Sequence, residues 1–327
     1  WKHGVVSVNA LGGMIGPTVF LLPNGRPVSP FHVAPWWNEE GGEHWDGLTK
    51  GLRGEWPCVP FGFPLPGDDY PESWAGEIEG DATVDHVHGF GSNHNWTFDD
   101  KDDEQISLFI EYPKNQAVKR LERVIRPRPD APVLDISLTV FVRRASCEPI
   151  ALHGCFRLPN LVRDARLEPG AFEIGQTHPS TVEPDAPLFG QDMRFSSLTD
   201  VPSRNGGIID ASYLPLDRDG EDLLQLNQID GNCRLFVRDE GYVMSFSWDS
   251  SVLPSLLLWY SNHGRSAKPW ENRNTCIGIE PTCSAFGLSP EMSRSHNPIA
   301  QSGTPTCIPL DPDKPLTINY QIGVGSL

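Results

Sequence analysis

From Val133 to Val142 the chain alternates so that Leu134, Ile136, Leu138, Val140 and Val142 share one face and Asp135, Ser137 and Thr139 the other. A side-chain period of two belongs to a strand with one buried face, and a helix of period 3.6 cannot use it. Shorter runs of the same character cover Thr18 to Leu22, Ile106 to Tyr112, Arg234 to Arg238, Tyr242 to Trp248, Ser255 to Tyr260 and Leu316 to Ile322. Between them stand hairpin or tight-turn dipeptides: Asn24-Gly25, Asn205-Gly206, Asp219-Gly220, Asp230-Gly231 and Glu240-Gly241. The 31 glycines and 31 prolines fit a turn-rich chain, because they lack the strict period of collagen. No amphipathic helix of twelve or more residues can be drawn; Leu161 to Glu168 could make two turns at most. The expected fold is all-β, a large antiparallel β-sandwich with little helix, formed as one domain over residues 1–327. The Pro-, Ser- and Asp-rich stretch from Thr177 to Pro202 could divide two halves, but similar strands continue on both sides.

Charge narrows the partners. With 26 basic and 43 acidic residues the net charge is −17, which repels nucleic acid and anionic lipid and favours a small neutral ligand. No apolar run reaches the eighteen residues of a membrane span. Gly12-Gly13 and Gly16 are followed by no helix whose N-terminus could hold a phosphate. The seven cysteines form an odd set without a CxxC pair, which suggests neither a disulfide framework nor a zinc ribbon and makes a reducing cytoplasm the expected location. Asn95-Trp96-Thr97 fits a glycosylation acceptor, a pattern that matters only in a secreted protein.

Glu280 closes the apolar run Cys276-Ile277-Gly278-Ile279 and is backed by Pro281. A carboxylate so placed is poorly solvated and needs a partner or a chemical task. Three further segments combine polar groups with glycine or proline: Leu52-Arg53-Gly54-Glu55-Trp56-Pro57, His86-Val87-His88-Gly89-Phe90 followed by Trp96, and Leu152-His153-Gly154-Cys155-Phe156. His86 and His88, two apart on a strand and followed by His94, also raise a metal site, but Gly89 to Trp96 lacks the carboxylate such a set would use, and no metal is expected.

In chain order, with Glu280-Pro281 last, the four segments resemble the aldose 1-epimerase family, the galactose mutarotase-like superfamily with its hexose-6-phosphate mutarotase branch. The resemblance spans about Val8 to Gly323. It implies the family's large sandwich and an isomerase that interconverts the α and β anomers of a free or phosphorylated hexose. His88 and His153 fall on the two family histidines, Glu280 on the late glutamate before proline, and Arg53 on the sugar-binding arginine. Asp222 falls near the family's substrate-binding aspartate, although with Asp217, Asp219 and Glu221 it also reads as a solvated acidic cluster. Trp37, within Trp36-Trp37-Asn38-Glu39-Glu40, offers a face for a sugar ring. The chain departs from the family motifs at Glu55, in place of a second glycine, and at Gly154-Cys155, in place of proline and an aromatic.

The chemistry can be built from the residues. Opening a pyranose needs a base for the C1 hydroxyl proton and an acid for the ring oxygen, with the roles reversed on closure. From reference values of about 4.3 for glutamate and about 6.5 for histidine, ionised Glu280 and protonated His153 coexist over roughly two pH units. His88 would hydrogen-bond near C1, and no cofactor is required. A carbohydrate-binding protein of the same fold would keep the aromatics without needing both His153 and Glu280; a metal-dependent sugar isomerase would need bound metal.

Overall fold

The computed structural model describes residues 1–64, 70–74, 86–101 and 104–327. Its described residues build two large antiparallel sheets, of ten and nine strands. The first runs, in spatial order from one edge, through Gly4–Val8, Ile15–Leu21, Glu55–Cys58, Ile150–Arg157, Thr275–Cys283, Ser255–Asn262 and Gly220–Asn227, and ends at Ile174–Thr177 and Arg194–Phe195. The second centres on Tyr242–Trp248, Leu316–Ser326, Val133–Val142 and Val118–Pro127. Helix among the described residues is confined to four α-helical segments of four or five residues and two 3-10 turns, Glu72–Trp74 and Leu198–Asp200.

Alternation decides what faces what. In Val133–Val142 the residues Leu134, Ile136, Leu138, Val140 and Val142 are buried in the core between the sheets, as their period requires. Leu152 and Phe156 meet them from the first sheet, and the Phe156 ring lies 6.2 Å from Phe246. The intervening residues of the first sheet point the other way. There Trp56, Cys155, Leu257, Trp259, Cys276, Trp36, Phe61 and Phe286 form a second apolar cluster. The first sheet is therefore buried on both faces, which explains why Ser255–Asn262 and Thr275–Cys283 read as continuous apolar runs.

Several local expectations change. Leu161 to Glu168 contains no helix: Ala165–Pro169 is a strand between Asn232–Val237 and Tyr213–Leu214, with Ala165 and Leu167 buried and Leu161 and Val162 exposed. Asn24-Gly25, Asn205-Gly206 and Glu240-Gly241 do turn, each glycine at positive φ, whereas Gly220 opens a strand. A Cβ there would lie 2.2 Å from Leu188, so close packing, not a turn, demands that glycine. Thr177 to Pro202 contributes strands of its own, Arg194–Phe195 to the first sheet and Val201–Pro202 to a small ribbon.

The cysteine reading is also corrected. Cys147 and Cys307 form a disulfide, 160 positions apart in sequence, where Ser146–Glu148 pairs with Ile308–Leu310. The other five cysteines are buried and free. A single long-range bridge leaves no spacing signature, so counting cysteines could not find it. Among the described residues no helix is long and apolar enough to cross a membrane.

Candidate active site

The site lies on the face of the first sheet that looks away from the sandwich core. Across the ladder from Ile150–Arg157 to Thr275–Cys283, Gly154 pairs with Ile279 and Ala151 with Thr282. That register sets His153 opposite Glu280, on the face opposite to Leu152 and Ile279. His153 Nε2 lies 3.3 Å from Glu280 Oε1. On the other flank His153 pairs with Trp56, and the two rings stack 4.2 Å apart at 15°. Trp259 closes edge-on at 6.0 Å, and Cys155 Sγ approaches His153 Nδ1 at 3.6 Å. The imidazole is thus fixed in its plane by aromatic contacts rather than by a counter-charge.

Glycine makes room for the carboxylate. A Cβ at Gly278 would lie 2.6 Å from Glu280 Oε1 and 2.7 Å from Trp259 Cβ, so the apolar run must be broken there. His88 completes the group. It is not on a strand but in a turn, at φ +58°, held by its backbone N–H donating to Gly62 O at 2.7 Å. A left-handed histidine costs energy that the surrounding structure offsets. Its ring stacks on Phe61 at 4.6 Å and stands 5.5 Å from the His153 ring.

These three groups line a cavity of about 180 Å³ together with Asp46, Thr49, Phe63, Leu223, Trp259, Arg265 and Trp270. Burial governs their protonation. It raises the Glu280 carboxyl well above its usual range, and it lowers His153 well below and His88 to about 3. Among the described residues nothing hydrogen-bonds Glu280 Oε2 or His88 Nδ1. Two buried polar atoms without hydrogen-bond partners among the described residues, both on side chains that line one cavity, are what a polar ligand could satisfy.

Three other sequence-predicted site residues do not line this cavity. Asp222 is one register position off. On Gly220–Asn227 it shares the inter-sheet side with Leu224 and Leu226, and its carboxylate accepts the backbone N–H groups of Leu188, Phe189 and Leu223. Its neighbour Glu221 takes the cavity side instead. Far from being part of a solvated cluster, Glu221 is fully buried and accepts from Trp259 Nε1 at 2.5 Å and Ser261 Oγ at 2.9 Å. Arg53 donates through Nε to Gly51 O, with its guanidinium 5.5 Å from the ring of Trp37, which is 54% exposed. His86 and His94 face each other at 4.8 Å, and among the described residues no three His, Cys, Asp or Glu side chains converge as a metal-ligand set.

Arg265 was not read from the sequence. It lies between Ser255–Asn262 and Thr275–Cys283, where no periodicity singles it out; the nearby Pro269-Trp270 is the one cue.

No family model and no curated protein matches the chain in sequence. Its fold is that of the aldose 1-epimerases and galactose mutarotase-like proteins. A candidate aldose 1-epimerase from Escherichia coli K12 superposes with a TM-score of 0.64 at 17% identity, covering 99% of this chain and 97% of its own. A galactose mutarotase-like protein from Lactobacillus casei gives 0.62 at 12%, covering 99% and 98%. An aldose epimerase homologue from Caenorhabditis elegans gives 0.64 at 12%, covering 100% and 97%.

Proposed function

We propose that the cavity interconverts the α and β anomers of an aldose, with Glu280 and His153 as the acid–base pair. The observation that carries this reading is the contact of 3.3 Å between two buried titratable groups beside the unpartnered Glu280 Oε2. The raised carboxyl and the lowered imidazole both favour the state in which the pair holds one proton between them. A proton transfer across the contact converts the neutral pair into glutamate and imidazolium without changing its charge.

In that ionised form Glu280 takes the proton of the C1 hydroxyl while His153 gives its proton to the ring oxygen. The C1–O5 bond breaks as the C1 carbonyl forms. Rotation about C1–C2 presents the other face, and closure runs the same transfers backwards, so no proton is consumed. His88, neutral through burial, offers a hydrogen bond near the reacting carbon. The cavity walls of Phe61, Phe63, Trp259 and Trp270 exclude water, which strengthens each of these interactions. The shared fold of proteins described as aldose 1-epimerases and mutarotases supports the same class of reaction.

The test is anomer exchange measured on a panel of aldoses, with elemental analysis of the purified protein alongside. Wild type should accelerate exchange on at least one aldose, and His153→Asn should lose that rate by on the order of 10²-fold. Sugar binding without exchange would instead support a carbohydrate-binding protein, and a stoichiometric metal would point to an isomerase that uses one.

A further inference from the structure

If the cavity is an aldose site, we propose that it selects an unphosphorylated, uncharged aldose, and that Arg265, not Arg53, grips the sugar hydroxyls. Arg265 is the one lysine or arginine on the cavity wall among the described residues. Its Nε lies 3.1 Å from Oε1 of the buried Glu221, and its guanidinium sits over Trp270 at 4.5 Å and Trp259 at 5.7 Å. Anchored through Nε and placed over an indole, the fork presents its two Nη groups, which make no hydrogen bond to the described residues. A planar donor pair of this kind suits vicinal hydroxyls.

The same geometry disfavours a phosphate. A phosphomonoester carries about −1.5 to −2 charges at pH 7. The charge of Arg265 is already balanced by Glu221, the Glu280–His153 pair is neutral as a unit, and the wall adds Asp46. His88 supplies no cation, because burial lowers it, and a proton on His153 is matched by the Glu280 carboxylate 3.3 Å away. The short helix Gly47–Gly51 at the cavity rim has its start occupied by Asp46, whose carboxylate accepts from Thr49 N. The cavity volume of about 180 Å³ lies below the roughly 300 Å³ at which pockets for drug-sized ligands begin.

Calorimetric affinities and exchange rates for glucose, galactose and their 6-phosphates test the proposal. Wild type should favour the free sugars by about tenfold or more, and Arg265→Met should weaken free-sugar affinity by about tenfold, as loss of a charged hydrogen-bond donor does. Arg53→Met should change it less than about threefold. Glu221→Gln should uncover the Arg265 charge and move the phosphate-to-free ratio upward by about tenfold. A wild-type preference for 6-phosphates, or a larger loss from Arg53→Met than from Arg265→Met, overturns the proposal, and the wild-type ranking decides even if Glu221→Gln does not fold. Free-sugar binding with this ranking but without exchange would reject the mutarotase reading alone; exchange with 6-phosphates preferred would reject this inference alone.

Discussion

Glu55 and Glu280 are both fully buried in the same sheet, yet only one of them is paid for by its surroundings. Glu55 faces the second sheet, where Arg123 forms a direct ion pair with its Oε2 and the Tyr320 hydroxyl donates to its Oε1 at 2.9 Å. Arg123 also donates to Tyr320 at 3.0 Å and to Gly13 O. Among the described residues Glu280 lines the cavity with a histidine as its only ion-pair partner and one oxygen without a hydrogen bond. Burial pushes both carboxyls upward, but Arg123 and Tyr320 pull Glu55 back, whereas Glu280 has no such opposing influence. Burial alone therefore does not mark a reactive carboxylate; a missing counter-ion beside open space does.

The largest expected effect breaks the pair on the structural side. Glu55→Gln leaves Arg123 without its counter-charge and should cost about 3–5 kcal/mol in denaturant unfolding. Unchanged stability would show that the inter-sheet ion pair is dispensable and that the contrast drawn between the two glutamates is wrong. Next, Gly278→Ala pushes a methyl group against Glu280 and Trp259, and a displacement of about 1 Å should lower kcat on the order of 10²-fold with the fold intact by circular dichroism. An unaltered rate would mean that the position of Glu280 is not critical.

The pH dependence sharpens the contrast more gently. With Glu280 raised and His153 lowered, both limbs of the exchange profile should be displaced from the ordinary carboxylate and histidine values, and each limb belongs to the pair rather than to one residue. A narrow bell between about pH 4.3 and about 6.5 would point to two unperturbed, solvated groups.

The smallest effect is on stability and has the opposite sign from that of Glu55. Because folding raises the Glu280 pKa, wild type is relatively most stable below the unfolded value of 4.5 and is penalised as pH rises toward the folded value. Glu280→Gln removes that penalty, so it should melt about 1–3 °C above wild type at pH 7, with the gap closing toward pH 4.5. A lower melting temperature at pH 7 would mean that Glu280 is held by a stabilising interaction like that of Glu55.

What the sequence revealed follows from the range of the interactions involved. Tyr242–Trp248 and Val133–Val142 are recoverable to the residue because period two is a local signal. Glu280 and His153 stand out because a polar group in an apolar run is itself a local anomaly. Asp222 and Glu221 could not be told apart, since a one-residue register choice depends on the Ser255–Asn262 neighbour, which pairs Glu221 with Ser261 and Leu223 with Trp259. Arg265 depends on a loop brought beside Glu221 from some forty positions away, and no spacing encodes that approach. His88 was visible as a histidine but not as a left-handed turn residue, because its conformation is imposed by Gly62 and Phe61.

The most direct test of the central claim is magnetisation-exchange NMR between the two anomers of the best aldose, with wild type and Glu280→Gln compared at matched sugar occupancy. The account expects the variant to bind the sugar while its exchange rate falls on the order of 10²-fold or more, because an amide keeps hydrogen bonding but cannot accept the C1 hydroxyl proton. Exchange at the wild-type rate in Glu280→Gln would contradict it.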